Sequence, residues 1–326
     1  MNKRHLLRLI ALTAATALAS GLGQAQEFPP RKTVTVVVGF AAGGAADASA
    51  RIIGKKLGEN LGISVVIDNK PGAGGNIAHQ LVANQAPTDG SVLLFGSVGP
   101  LTIAPHLMKL PYDPVKDLAP ITMGVNFPNI LVVHSGLKVR TFAEFIAYAK
   151  ANPGKLEYAS TGPGSASHLA GELLDDMAKI QTVHVPYKGG APAMQDLLGE
   201  RVAAYYSTFN TAQPHIESGK LIPLASTGPS RLGAAANVPT IAESGYPGYS
   251  ATNWYAFVAS AKVPKAVLDR WNTELVKVLK SPDVAEALNR HGMPAQPGTR
   301  EELAREMERE TAMWGRVIRD RKITVQ

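Results

Sequence analysis

The chain has 326 residues and no cysteine. That absence removes disulfide scaffolds, thiol nucleophiles, thiolate metal sites and iron–sulfur clusters from consideration. The eight histidines are scattered, with no His-x-x-x-His pair and no His-Glu-x-x-His motif, so no structural metal is expected. No cluster of Lys and Arg interleaved with aromatics occurs, which argues against nucleic acid as a partner. Past the amino-terminal segment, no apolar run approaches the length of about 18 residues that marks a membrane-spanning helix. The phosphate loop ending in Gly-Lys-Ser/Thr, the dinucleotide Gly-x-Gly-x-x-Gly and the nucleophile elbow Gly-x-Ser-x-Gly are all missing. No cofactor is therefore expected.

Met1 to Ala25 reads as an export signal. Lys3, Arg4 and Arg8 form a basic start, Leu9 to Leu22 is an apolar-leaning run, and Gly23-Gln24-Ala25 offers small residues for cleavage before Gln26. A membrane anchor would need about 20 apolar residues, more than this run supplies. Subtracting the three basic residues of the signal from the formal +7 leaves +4, so the mature chain is only mildly basic. The 31 glycines and 23 prolines exceed the usual share and point to many tight turns.

Val34 to Gly39 is a short β-branched run, as expected of a buried strand. A glycine-rich turn follows, then Ala50, Ile53, Leu57 and Leu61 at helical spacing, with Gly62 where such a helix stops. Further strands are expected at Val65 to Asp68, Val92 to Phe95, Ile130 to His134, Leu156 to Ser160, Val183 to Pro186, Val202 to Tyr206 and Leu221 to Ser226. Thr141-Phe142-Ala143-Glu144 and Thr299 to Glu302 are capping boxes opening helices. Val267, Leu268, Trp271, Leu275, Val278 and Leu279 fall on one helical face and are read as core. The alternation predicts parallel strands covered by helices, an α/β architecture with two domains facing across a cleft.

Two strand-to-helix turns have the chemistry of an anion site. In Phe40-Ala41-Ala42-Gly43-Gly44-Ala45-Ala46-Asp47, adjacent glycines let an anion reach backbone amides at the positive end of the next helix. Asp47 has two roles open to it: facing a ligand, or capping that helix and pairing with Arg51 four residues on. In Ser160-Thr161-Gly162-Pro163-Gly164-Ser165-Ala166-Ser167-His168, hydroxyls and a histidine crowd a second such turn, with Ser167 read as the helix N-cap. Adjacent helical side chains do not face each other, so His168 beside its serines is not read as a nucleophile and base. Ser97, Ser207 and Thr208 add hydroxyls at other strand ends. Neither turn contains Arg or Lys, so an acid is expected to be held by amides, hydroxyls and bridging waters. Trp254, after Thr252 and Asn253, lies either near the cleft or in the core.

The sequence resembles the extracytoplasmic solute receptors of the tripartite tricarboxylate transporter system, the Bug proteins. The resemblance rests on the first turn, Val65 to Asn76, Leu110 to Asp117, Tyr158-Ala159-Ser160 with Ser165 to Gly171, His184 to Ala193, and Pro214-His215-Ile216. It implies a type II periplasmic-binding-protein fold, two lobes joined by two crossing strands and closing on a small carboxylated solute. It also implies a periplasmic, monomeric receptor that hands its solute to inner-membrane permease subunits. Carried over, the ligand residues are Phe40, Ala41, Gly43, Gly44 and Asp47 on one lobe, with Thr161, Gly162, Ser165, Ser167 and His168 on the other. Lobe 1 is expected to comprise 26–125 plus 227–326, and lobe 2 126–226. Two departures matter. Ala41 and Ala42 replace the family's usual prolines, and Tyr206-Ser207-Thr208 stands where Phe-Asp-Asn or Phe-Asp-Ser is common. The missing carboxylate favours a ligand without a cationic group, a di- or tricarboxylate or an aromatic acid. Two other readings are a receptor presenting its ligand to a sensor kinase, and a secreted α/β hydrolase or lyase.

Overall fold

The computed structural model describes residues 28–324, so the export-signal reading of Met1 to Ala25 lies outside the described residues. Strand β1 (Thr33–Val38) is four-sixths valine, whose branched side chains suit a pleated surface buried on both sides. It lies between β2 (Ser64–Asn69) and β3 (Val92–Ser97), parallel to both. Helix α1 (Ala45–Leu61) links β1 to β2 and ends at Gly62, whose φ of 64° needs a residue without a side chain. Helix α2 (Asn76–Gln85) links β2 to β3.

The next strand, β4 (Leu118–His134), organises the molecule. Its first part pairs antiparallel with β9 (Thr252–Ser260), which itself pairs antiparallel with β3. Its last six residues pass between β7 (Ala204–Thr208) and β8 (Leu221–Ser226), antiparallel to both. Beyond β7 lie β5 (Leu156–Ser160) and β6 (Thr182–Pro186), in parallel register. The hand-over falls at Pro128, which has no N–H to donate to a ladder. The next amide, Asn129 N, donates to Thr227 Oγ1 at 2.9 Å, and Thr227 Oγ1 in turn donates to Ala251 O at 2.7 Å.

Two expectations are corrected here. The strand expected over Ile130 to His134 is the end of a 17-residue strand. Pro120, Gly124 and Pro128 obscure its earlier part, and the ladder with β9 shifts register between Pro120 and Thr122 and again between Met123 and Val125. Parallel pairing holds for β2-β1-β3 and β7-β5-β6, but β4 and β9 run antiparallel to their neighbours. Apolar content reports that a strand is buried and carries no sign of its direction.

Helices α3 (Phe142–Ala151), α4 (Ala166–Ala178), α5 (Gly190–Leu198) and α6 (Phe209–Glu217) pack on the second half of the sheet. Helices α7 (Lys265–Leu279) and α8 (Pro282–Arg290) cover one face of the first half, and α9 (Arg300–Asp320) crosses the other. Both expected capping boxes form: Thr141 with Glu144 opens α3, and Thr299 with Glu302 opens α9. The α7 stripe ending at Leu279 is buried as expected, with Trp271 Nε1 donating to Gly90 O. Trp254 is fully buried in the core cluster that spans both halves, which decides between its two readings.

Replacing Thr227 by Val removes an acceptor for Asn129 N and a donor for Ala251 O where water has no access. The expected cost is about 2–6 kcal/mol, from two buried groups at about 1–3 kcal/mol each. Urea denaturation measures it, and a loss below about 0.5 kcal/mol would show that the hand-over does not depend on this hydroxyl.

Candidate functional site

Strands β1, β3, β5, β7 and β8 present their carboxyl ends to the junction crossed by β4, as the pairs Ser97↔Tyr255 and Asn129↔Thr208 show. In open α/β sheets, ligands bind outside these ends. The loops leaving these strands and those leaving β2 and β6 meet in three places. Ala41 N donates to Lys188 O at 3.1 Å, and a side chain on Gly189 would lie 2.8 Å from Ala41 N. A side chain on Gly162, whose φ is +122°, would lie 2.7 Å from Gly74 N. One on Gly99 would lie 2.6 Å from Gly164 O. Bare backbone is what allows the two halves to approach this closely.

Between these contacts runs a ring of groups. Gly44, at the start of α1, faces Gly190 at the start of α5, with 3.6 Å between the position of its absent side chain and Gly190 N. The same vacant position on Gly190 lies 3.3 Å from the Tyr205 hydroxyl and 3.8 Å from Thr211 Oγ1. Thr211 Oγ1 is 2.9 Å from Thr208 Oγ1, and Thr208 sits beside Asn129. Asn253 Nδ2 donates to Asn129 Oδ1 at 3.4 Å, and the Tyr255 ring lies 6.2 Å from the Phe40 ring, which closes the circuit at the first turn. Ser97 Oγ is 3.6 Å from the corresponding position on Gly75, beside Phe40. Burial pushes the Tyr205 and Tyr255 phenols up, so both remain neutral hydrogen-bonding groups.

The first turn behaves as an amide site. Gly44 occupies the N-cap of α1 without a side-chain cap, which leaves helix amides free there. Asp47 takes its helix-side role: its carboxylate accepts from Gly43 N at 3.0 Å and pairs with Arg51 at 2.8 Å. Burial would raise its pKa, but the hydrogen bonds from Arg51, Gly43 and Asn69 outweigh that and hold it below the ordinary value.

The second turn is tied mainly to itself. The N-cap of α4 is Ser165, whose Oγ accepts from His168 N, and not Ser167 as expected. Ser165 Oγ also donates to Gly162 O at 2.6 Å. Ser167 Oγ instead accepts from Thr161 N at 2.9 Å and lies 3.1 Å from both Thr161 Oγ1 and Ser165 Oγ. His168 Nδ1 accepts from Gly164 N, and its ring stacks on His184 at 4.0 Å. His184 Nε2 reaches Ser160 Oγ at 2.5 Å. Burial lowers His168 to about 3, with the neighbouring His184 adding to the shift, and lowers His184 to about 4. Both rings are neutral at physiological pH. Ser207 is fully buried, and its Oγ donates to Thr208 O at 3.0 Å.

All thirteen predicted residues thus lie on the facing loops, strand ends or helix starts, five of them in the serine-rich turn or its helix start bonded to one another. Sequence reasoning missed His79, Asn129, Tyr205 and Asn253 as members of this edge. His79 Nδ1 donates to Gly75 O at 2.9 Å while Nε2 accepts from Ser97 N, fastening the Gly72–Gly75 loop to the end of β3. Burial lowers its pKa to about 4, against the opposing effect of the Gly75 carbonyl. The glycine pairs Gly74-Gly75 and Gly189-Gly190 signalled the loops that meet here, and nothing in the spacing pointed to Asn129, Tyr205 or Asn253. A groove of about 930 Å³ along α9, lined in part by His106, Leu118 and Met307, includes none of the predicted residues.

Comparison with known proteins agrees with this geometry. A family model described as the tripartite tricarboxylate transporter family receptor matches residues 49–323. BugT of Bordetella pertussis is 33% identical over 321 residues, 98% of each chain. The structure of R. palustris Rpa4515 with adipate superposes with a TM-score of 0.87 at 35% identity, covering 91% of this chain and 99% of that one. MatC (Rpa3494) from Rhodopseudomonas palustris with bound malate superposes with a TM-score of 0.84 at 31% identity, covering 89% and 100%. Fold and facing strand ends define a two-lobed binding protein of the periplasmic type, as expected. The chain belongs to the tripartite tricarboxylate transporter family of receptors, a family of substrate-binding proteins and not of enzymes. Among the described residues, no helix is long and apolar enough to cross a membrane.

A pH prediction follows from the depressed histidines. Unfolding restores His184 from about 4 to about 6.5, so the unfolded chain binds more protons across that interval and stability falls as pH drops through it. Asp175, raised by burial to about 7, acts in the opposite sense and loses its contribution as pH rises toward 7. Comparing His184→Gln with the parent cancels the Asp175 contribution. The variant is expected to show a smaller fall in Tm between pH 6.5 and 4, and parallel Tm curves would overturn the assignment.

Proposed function

We propose that this protein is a periplasmic receptor, exported by a signal cleaved near Ala25, that captures a small carboxylated solute as a monomer and delivers it to permease subunits. The observation that carries this reading is the meeting of uncapped helix starts and neutral hydroxyls from both lobes, without an Arg or Lys in the ring. Free helix amides suit a carboxylate. The adipate and malate held by the two structural relatives support a di- or tricarboxylate in particular. Asp47 is occupied by Arg51, and Ser207 stands where the family commonly has Asp, so the ring offers no free carboxylate to an ammonium group. An amino acid is accordingly disfavoured.

The ligand residues in this reading are Phe40, Ala41, Gly43, Gly44, Ser97, Thr161, Gly162, Thr208 and the amides at the starts of α1 and α5. Asp47, Ser165, Ser167, His168 and Ser207 hold the turns in shape. Lobe 1 comprises 28–128 and 252–324, and lobe 2 comprises 129–251. The sequence reading returned the chain to lobe 1 at Thr227. We move that boundary because Leu232, Ala235 and Val238 pack with Ile130, Ala159 and Tyr205, and Tyr249 donates to Ala170 O.

Calorimetry with adipate and malate tests this reading, with small-angle scattering following closure. The parent protein is expected to bind at least one of the two and to become more compact. Gly162→Ala places a methyl group against Gly74 N, and is expected to weaken binding at least tenfold and to abolish the compaction. Equal affinity in parent and variant would refute closure as the mode of capture.

A further inference from the structure

Among the described residues, few buried side-chain polar atoms lack a partner, and two of them belong to the inter-lobe edge: Ser97 Oγ and Asn129 Nδ2. Ser97 is 3% exposed and Asn129 1% exposed. A buried donor without a partner is costly, so each calls for an explanation. Ser97 belongs to the first-turn site already described. Asn129 does not, because it lies on the junction strand, far along the chain from both anion-binding turns.

Every other polar atom of Asn129 is committed. Its main-chain N–H donates to Thr227 Oγ1, and its carbonyl accepts from Thr227 N at 2.9 Å. Its side-chain Oδ1 accepts from Asn253 Nδ2. That last bond orients the amide so that the Nδ2 hydrogens are the part left over. Asn129 also lies within the ring of groups that begins and ends at the first turn, running through Thr208, Thr211 and Gly190 on one side and Asn253 and Tyr255 on the other.

We propose that Asn129 is a specificity-determining residue: its Nδ2 donates to a second acceptor oxygen on the solute, a hydroxyl, oxo or second carboxylate group remote from the carboxylate held at the helix starts. The proposal rests on the carboxylate-receptor reading above and adds which acids are chosen. An amide N–H is a donor only, so it rewards an acceptor, leaves a methyl terminus unrewarded and opposes an ammonium. Asn253 positions it, and the neutral phenols of Tyr205 and Tyr255 complete a polar wall that contains no fixed charge.

The test is calorimetry on the mature chain with paired probes, adipate against hexanoate and malate against butyrate. The parent is expected to prefer the member of each pair with the extra oxygens by about 10- to 100-fold, the range for a hydrogen bond to a charged group. Asn129→Leu is expected to erase that preference, the affinity for each diacid falling to that of its paired monoacid, a convergence that a merely structural role would not produce. Asn129→Asp, nearly the same shape, guards against a folding defect: it is expected to repel adipate further and to raise the affinity for 6-aminohexanoate. A preference ratio unchanged in both variants overturns the role of Asn129 alone. A parent that binds none of the four acids overturns the carboxylate reading, and this proposal with it.

Discussion

The structure depends on one strand shared by two lobes. β4 is continuous from Leu118 to His134, yet its partners change at Pro128 from β9 to β7 and β8. A proline there ends one ladder without leaving an unpaired donor, and Thr227 satisfies the first amide of the next. The carboxyl ends of five strands are thereby brought to one junction. The binding ring is built around that junction, with Asn129 on the shared strand and Asn253 on the strand that returns to lobe 1. In the closure proposed above, Asn129 and Asn253 lie on the two strands that join the lobes and serve as a floor, while the turns at Gly44 and Gly162, one on each lobe, serve as jaws.

Charge is arranged to match that division. The carboxylate of Asp47 is consumed by Arg51 and Gly43, which shapes the first turn and keeps a negative charge from opposing an anion. His79 and His168 are buried and His184 is half-buried, and all three are neutral at physiological pH, acting as hydrogen-bonding spacers that fasten loops to strand ends. What remains for a solute is dipoles: helix amides, hydroxyls, phenols and an asparagine. Dipoles hold an anion without the tight bidentate geometry of a guanidinium. In the proposed delivery to a permease, such weaker geometry permits release as well as capture.

The sequence displayed the local features and concealed those made by topology. Strand β1, the Gly62 helix stop, both capping boxes and the α7 stripe were legible because each is decided by residues within one element. The N-cap of α4 was misplaced by two residues because three serines compete there, and hydroxyl content alone does not say which one has the extended backbone of a cap; Ser165 does, with φ −77° and ψ 162°. Most of β4 was hidden because prolines and a glycine, tolerated at its bulges, read as loop. Asn129, Tyr205 and Asn253 were beyond reach altogether, since strand crossing unites positions that no spacing rule connects. The family resemblance supplied the two turns but did not extend to this floor.

Closure itself places a limit on how the lobes attract each other. Among the described residues, the facing loops share one backbone hydrogen bond, Ala41 N to Lys188 O, and otherwise meet at glycines set against backbone and small side chains such as Ala104 and Ala191. A single hydrogen bond contributes about 1 kcal/mol net, a factor of about five in an open–closed equilibrium. One such bond between the loops is a small bias toward closure, to which the Arg321–Asp176 pair between the lobes adds. A solute that engages the jaws and the floor together adds several such bonds that exist only in the closed form, and a ligand shifts an equilibrium by no more than that difference. On the proposed reading the ring therefore selects for solutes long enough to span from the helix starts to Asn129, since a molecule that satisfies only one jaw gains nothing from closure.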